Sequence, residues 1–256
     1  MKSPLQLKEN RSVCSSLVKK IIPHSSVVHC FPFLTGELEL ELLREDRFII
    51  AHTNNYVTYE FWRCVMTDPQ RVAAFVDHMT PLKEKRIFYM LQRRWAEYKD
   101  PFVRSGIFFL LNQHSSSGLI SSGEFVDKPI SPSMLMRLKN FDAKNFHIQF
   151  DQQEDFLTEI EDISDSEYAL LMLGQYHYNI LDRGINMGYE QTNISHKAVL
   201  NFFNETQKKC VLVYQYHPRL LKEYKGHNIV MVNQYAQPTQ RQELCKEVII
   251  ANFRTE

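Results

Sequence analysis

Glycine is scarce in this chain. Only 8 occur in 256 residues, less than half of the usual share of about 7%. Loops that bring bare backbone against a phosphate or a cofactor depend on glycine for the approach, so the chain has few places to build one. An excess of either charge is also missing: 30 Lys and Arg balance 30 Asp and Glu. No overall field draws the molecule to nucleic acid, and any such binding needs a local patch. The five cysteines, Cys14, Cys30, Cys64, Cys210 and Cys245, are scattered without a C-x-x-C pair, which argues against structural zinc and fits reduced thiols. No apolar run approaches the roughly 20 residues of a membrane helix. The stretch MKSPLQLKENRS has no apolar core of a secretory signal, so a cytoplasmic, intracellular protein is expected. The sequon Asn193-Ile194-Ser195 would matter only on a secretory route.

What is present reads as one α/β unit with an elaboration, in an ordinary globular composition of 44% hydrophobic and 23% charged residues. SVVHCF (residues 26–31) and RFIIAH (47–52) read as strands around a helix GELELELLRE. A helical block follows: YVTYEFWRCVM, then DPQRVAAFVDHM with Asp68 as N-cap and Pro69 at the first helical position, then LKEKRIFYMLQRRWAEY and FVRSGIFFLLNQ. From 114 to about 150 the chain reads as irregular, beginning with a Ser/Gly loop. DQQEDFLTEIEDISDSE reads as a solvated acidic face that would repel DNA phosphates. Strands then return as YALLML (168–173), CVLVYQY (210–216), NIVMVNQY and EVIIANF (247–253), with a helix SHKAVLNFFNET between the first two. The expected division is an α/β domain from residues 1–58 and 151–256, with residues 59–150 inserted as a mainly helical subdomain.

FPFLTGELELELL (31–43) has the strand, tight turn and helix of a nucleotide cradle, but its turn holds one glycine. Its setting resembles the Dam-type DNA adenine-N6 methyltransferases over nearly the whole chain. That family opens with P-F-x-K-W-x-G-G-K and a helix ending in I-P; here PLQLKENRSVCSSLVKKIIP has the same length and ending. Its F-E-P-F-x-G-x-G corresponds to CFPFLTGE, and its N-x-N-G-L loop to SSSGLISSGEF, matched at Gly118, Leu119, Gly123, Glu124 and Phe125. LLMLGQY falls where the D-P-P-Y strand belongs, and EVIIANF matches the closing strand. The resemblance implies a Rossmann-like methyltransferase mixed sheet flanked by helices, with a target-recognition-like helical insertion.

The same comparison implies that the chemistry is gone. In the family, the acid and the first proline carbonyl of D-P-P-Y hold the adenine amine while the tyrosine stacks on the flipped base. Those positions are Leu173, Gly174, Gln175 and Tyr176, and only the aromatic remains. In the cofactor turn Pro32, Phe33 and Gly36 persist, whereas Thr35 and Glu37 carry side chains where bare backbone should meet S-adenosylmethionine. The acid for the ribose falls at Thr53, and of the N-terminal motif only the charge of Arg11 is kept. The reading is a pseudo-methyltransferase with no cofactor and no catalytic residue, acting as a DNA- or protein-binding scaffold. The alternative is an active, divergent S-adenosylmethionine-dependent adenine methyltransferase. For DNA, Arg86, Arg93, Arg94 and Lys99, with Lys85 and the interleaved Tyr89, Trp95 and Tyr98, form the candidate surface; the plainer account is an amphipathic helix with an aromatic core stripe. The segment after residue 120 is too short for the family's base-reading hairpin. His177 and His217 follow neighbouring strands, but no metal site is expected.

Overall fold

Runs of Val, Ile and Leu without polar alternation need cover on both faces, and here they form the middle of a sheet. The computed structural model describes residues 2–7, 12–43, 46–80, 82–118, 120, 123–151, 156–176 and 194–254. Seven strands lie in the order β3-β2-β1-β4-β5-β7-β6: β1 (Val27–Phe31), β2 (Phe48–Thr53), β3 (Phe146–Phe150), β4 (Tyr168–Gly174), β5 (Lys209–Gln215), β6 (Asn228–Asn233) and β7 (Cys245–Ala251). The first five are parallel, and β7 runs antiparallel between β5 and β6. The chain is therefore an α/β protein with a Rossmann-like mixed sheet, and the order reverses between β1 and β4.

Side chains alternate across the sheet. One face presents Val28, Cys30, Ile49, Ile148, Leu170 and Val211 to α1 (Ser15–Ile21) and to the helices between β2 and β3. These are α3 (Tyr56–Thr67), α4 (Pro69–Met79), α5 (Lys85–Arg94), α6 (Pro101–His114) and α7 (Pro132–Lys139). The other face presents Phe31, Leu171, Leu173, Leu212 and Ile250 to α8 (Phe156–Glu161), α9 (His196–Glu205) and α10 (Pro218–Glu223). α2 (Glu39–Leu42) is a single turn after β1. The starts of α4 and α6 follow from local chemistry. Asp68 and Asp100 accept from backbone N–H groups of the first turn, and Pro69 and Pro101 fill positions that need no donor.

The stretch expected to be irregular instead holds α7 and β3. β3 is an edge strand, and its sequence FHIQF alternates buried and exposed residues at its start, so its apolar signal is half that of a central strand. The C-terminal motif EVIIANF has a job for each of its non-aliphatic residues except the alanine. Glu247 accepts from the backbone N–H groups of Val13 and Cys14 and from the Ser12 hydroxyl, at 3.0–3.1 Å. It thereby caps α1, which has no side-chain cap of its own. Asn252 bridges to β5, accepting from Cys210 N at 2.9 Å and donating to Lys208 O at 2.8 Å. Phe253 stands edge-on to Tyr168 at 5.5 Å. All five cysteines are buried and unbridged. Among the described residues no helix is long and apolar enough to cross a membrane.

Candidate functional site

Sheets of this kind take ligands in the crevice at the carboxyl ends of the strands where the order reverses, here the loops after β1 and β4. The β1 loop is fixed from within. Phe33 donates its N–H to His52 O at 2.7 Å and buries its ring edge-on to Trp62 at 5.5 Å. Trp62 in turn donates Nε1–H to Leu34 O at 3.2 Å. Gly36 sits at φ +69°, where a Cβ would stand 3.0 Å from the Phe33 ring, so this glycine and the buried Pro32 serve the corner itself. The N-terminal segment lies over the loop, with the Ser3 hydroxyl donating to Thr35 O. The Thr35 hydroxyl is buried without a hydrogen-bond partner. So are both carboxylate oxygens of Glu39, at the start of α2. Burial, with the Glu37 charge adding and the backbone N–H groups of Glu39 and Leu38 opposing, pushes the Glu39 carboxyl up to about 7. Glu37 is half-buried and lines a cleft of about 330 Å³ with Lys2, Ser3, Glu41 and Arg137.

On the β4 side, Leu173 is fully buried in the core, Gly174 (φ +60°) closes the strand at a bulge, and Gln175 is exposed. The Tyr176 ring has His196 and His217 against it, each 5.0 Å away between ring centres. Its hydroxyl donates to the Glu223 carboxylate at 2.8 Å, and burial followed by that carboxylate raises its pKa. His217 also caps α10 by accepting from Arg219 N at 3.3 Å. His196 Nδ1 meets the Tyr214 hydroxyl at 3.1 Å. His177 lies outside the described residues, as does Arg11.

At the end of β2, Thr53 is spent on its own turn. Its hydroxyl accepts from Asn55 N at 3.2 Å, and Asn55 caps α3. The side chain that crosses the sheet face is its neighbour. His52 stacks on Phe31 at 4.1 Å between ring centres and places Nδ1 3.1 Å from the buried Asp151, just past β3. Its Nε2 meets His29 Nδ1 at 2.9 Å, and His29 Nε2 meets Glu167 Oε2 at 3.0 Å. Sequence reasoning passed over this chain of four groups and placed Asp151 in a solvated acidic run. The run is solvated only in part: Asp151 is buried, and α8 packs Ile160 into the core. The signal was a histidine inside each of two apolar strands; nothing local marked them as partners.

Proton counting characterises the network. Two neutral imidazoles bring two N–H protons to three contacts, so with both carboxylates ionised one contact sets two acceptors face to face. A third proton completes the chain by making one ring an imidazolium. Burial first, and then the neighbouring His52, lower the His29 pKa, against the pull of Glu167 and Asp151. The lowered His29 pKa works against that third proton.

Arg86, Arg93, Arg94 and Lys99 are exposed on and just beyond α5, with Arg94 paired to Glu97 at 3.4 Å. Trp95 does not belong to that surface. It is buried in the turn that follows α5, packed into the core, and cannot stack on a base. Among the described residues no three His, Cys, Asp or Glu side chains group as metal ligands. Comparison with protein-family models and with curated proteins finds no match to this chain.

Proposed function

We propose that the chain is a catalytically inactive relative of the DNA adenine-N6 methyltransferases that keeps the fold as a scaffold for binding DNA or a protein partner. The observation that carries this reading is the state of the loop after β4. Transfer of a methyl group to the adenine amine needs an acceptor that holds and polarises the nitrogen. Leu173 offers no acceptor and is packed in the core. The aromatic that would stack on the base is occupied: two imidazoles stand against Tyr176, and its hydroxyl is bonded to Glu223. The β1 and β2 loops support the same reading. Thr35 and Glu37 stand where the family has bare backbone, and Thr53, at the position of the ribose-holding acid, spends its hydroxyl on Asn55 N. On this reading function passes to a surface.

Calorimetric titration with S-adenosylmethionine tests the proposal. No heat of binding up to millimolar ligand is expected, and micromolar binding would overturn it. For the DNA arm, a gel-shift series against salt should show steep loss of affinity if phosphates are contacted. Reversing Arg93 and Arg94 to Glu should abolish that binding if α5 carries it; retention would remove α5 from consideration.

A further inference from the structure

The edge of the sheet opposite the switch point carries a second cleft, which the methyltransferase reading does not use. Because β1 and β4 are parallel and β7 returns antiparallel, the starts of β1 and β4 and the residues just past β7 meet at one edge. There a cleft of about 920 Å³ is lined by Lys19, Lys20, His24, Tyr168, Phe253 and Arg254, with Ser15, Ser16, Ile21 and Pro23 completing the wall. No acidic side chain is among these lining residues. Lys209 adds a further cation beside it, its Nζ 5.1 Å over the Tyr168 ring.

The wall is built, not merely charged. Arg47 is fully buried behind it and donates to Lys19 O at 2.7 Å, to Ile22 O at 2.6 Å and to Pro23 O at 3.1 Å. This fixes the end of α1 and the turn into β1 against a cation that neutralises the carbonyl end of the helix. Phe253 is held edge-on to Tyr168, and the adjoining Asn252 is tied to β5. Positive charge, hydroxyls and two fixed aromatic rings in one cleft of ligand size suit a ligand that is anionic at one end and flat and apolar at the other.

We propose that this cleft binds a nucleoside phosphate, free or as a unit of a single nucleic-acid strand, with phosphate on Lys20 and Arg254 and the base against Phe253 and Pro23. The assignment does not depend on what the carboxyl edge of the sheet once held.

The test is fluorescence anisotropy with a labelled oligothymidylate, competed by AMP, by ATP, by inorganic pyrophosphate and by a glutamate peptide of matched charge. Wild-type protein is expected to bind with a salt-dependent affinity. The double variant Lys20→Gln, Arg254→Gln should lose about tenfold in affinity and reduce the logarithmic salt slope by about 2. Both residues are exposed, so the fold should survive, and a matching thermal melt checks this. Phe253→Leu should weaken the nucleotides while leaving inorganic pyrophosphate competition unchanged. Competition by the mononucleotides at concentrations near that of the oligonucleotide would place the free nucleotide as ligand; competition by the oligonucleotide alone would place the single strand. Equal competition by the glutamate peptide would overturn the proposal. So would undiminished binding by the double variant, loss of binding on reversing Arg93 and Arg94 instead, or no binding of any nucleotide probe up to millimolar.

Discussion

Two carboxylates, the buried Glu39 and the half-buried Glu167, act on stability in different ways. The Glu39 carboxylate oxygens are buried without a partner at hydrogen-bond distance and angle, and the folded pKa is about 7, against an ordinary value of 4.5. Between those values the folded state holds a proton that the unfolded state has released, so stability falls as pH rises through that window. The loss approaches about 3 kcal/mol above it. Glu39→Gln keeps the shape without the charge. It is expected to match wild type under acid conditions and to melt higher near neutral pH, as measured by thermal denaturation across pH. Glu167 differs because it bonds His29, whose pKa burial lowers. In Glu167→Gln an amide nitrogen at the Oε2 position can donate to His29 Nε2, but it then faces the Ser164 N–H that Oε2 accepts at 3.1 Å, so one contact is gained and one lost. At about pH 8 this variant is expected to stay within about 1 kcal/mol of wild type. The lowered His29 pKa means that acidification below about 6.5 protonates the unfolded chain first, so stability falls there. Without Glu167 to favour the imidazolium, the variant should fall further below wild type as the pH approaches about 5. A variant that loses no more stability than wild type between about pH 8 and about pH 5 would refute this role of Glu167.

At the scale of elements, the N-terminal segment and α1 are held by distant parts of the chain. Glu247 of β7 caps α1. In Glu247→Gln a single carbonyl oxygen faces the Val13, Cys14 and Ser12 donors, and a loss of about 1–2 kcal/mol in denaturant unfolding is expected. Residues 4–6 lie along the end of α6. Asn112 Nδ2 donates to Gln6 O and Gly118 O, each at 2.7 Å, and Gln113 Nε2 donates to Pro4 O at 3.0 Å. Gly118, at φ +90°, admits that passage: a Cβ there would fall 2.1 Å from Gln6 O. Gly118→Ala is therefore expected to cost about 2–4 kcal/mol, with faster amide exchange over residues 4–6 as the local signature. These contacts explain why the motifs around Gly118 and EVIIANF were readable in the sequence while their purpose was not. Strand period, N-cap and proline signals act within a few residues, and Asp68-Pro69 or the apolar run of β4 show themselves locally. The partners of His29 and His52 lie 23, 138 and 99 positions away, and only the folded sheet brings them together. β3 was hidden for a related reason, since an edge strand buries one face.

For the molecule as a whole, the sequence announced an α/β sheet through its central strands, and the parallel order with a switch point between β1 and β4 bears out the Rossmann-like class. For the crevice at that point the sequence offered only the resemblance, which implies a lost acid at Leu173 and lost glycines at Thr35 and Glu37. The structure shows there a tyrosine with imidazoles against it after β4 and, on the face of β1 and β2, a chain of two histidines and two carboxylates. The opposite edge left no signal, because Lys19, Lys20 and Arg254 are ordinary surface residues until the antiparallel return of β7 gathers them around Phe253.

That return also bears on how the molecule comes into being. β7 lies between β5 and β6, so the seventh strand in chain order sits inside the sheet, and β6, made earlier, pairs with no other named strand until β7 arrives. The cap on α1 waits for the same residues. A chain stopped after residue 244 should show no cooperative melting transition and should expose the bare edge of β5 to other chains. During synthesis, then, the first helix and the sixth strand are both held open, and one late strand closes them together.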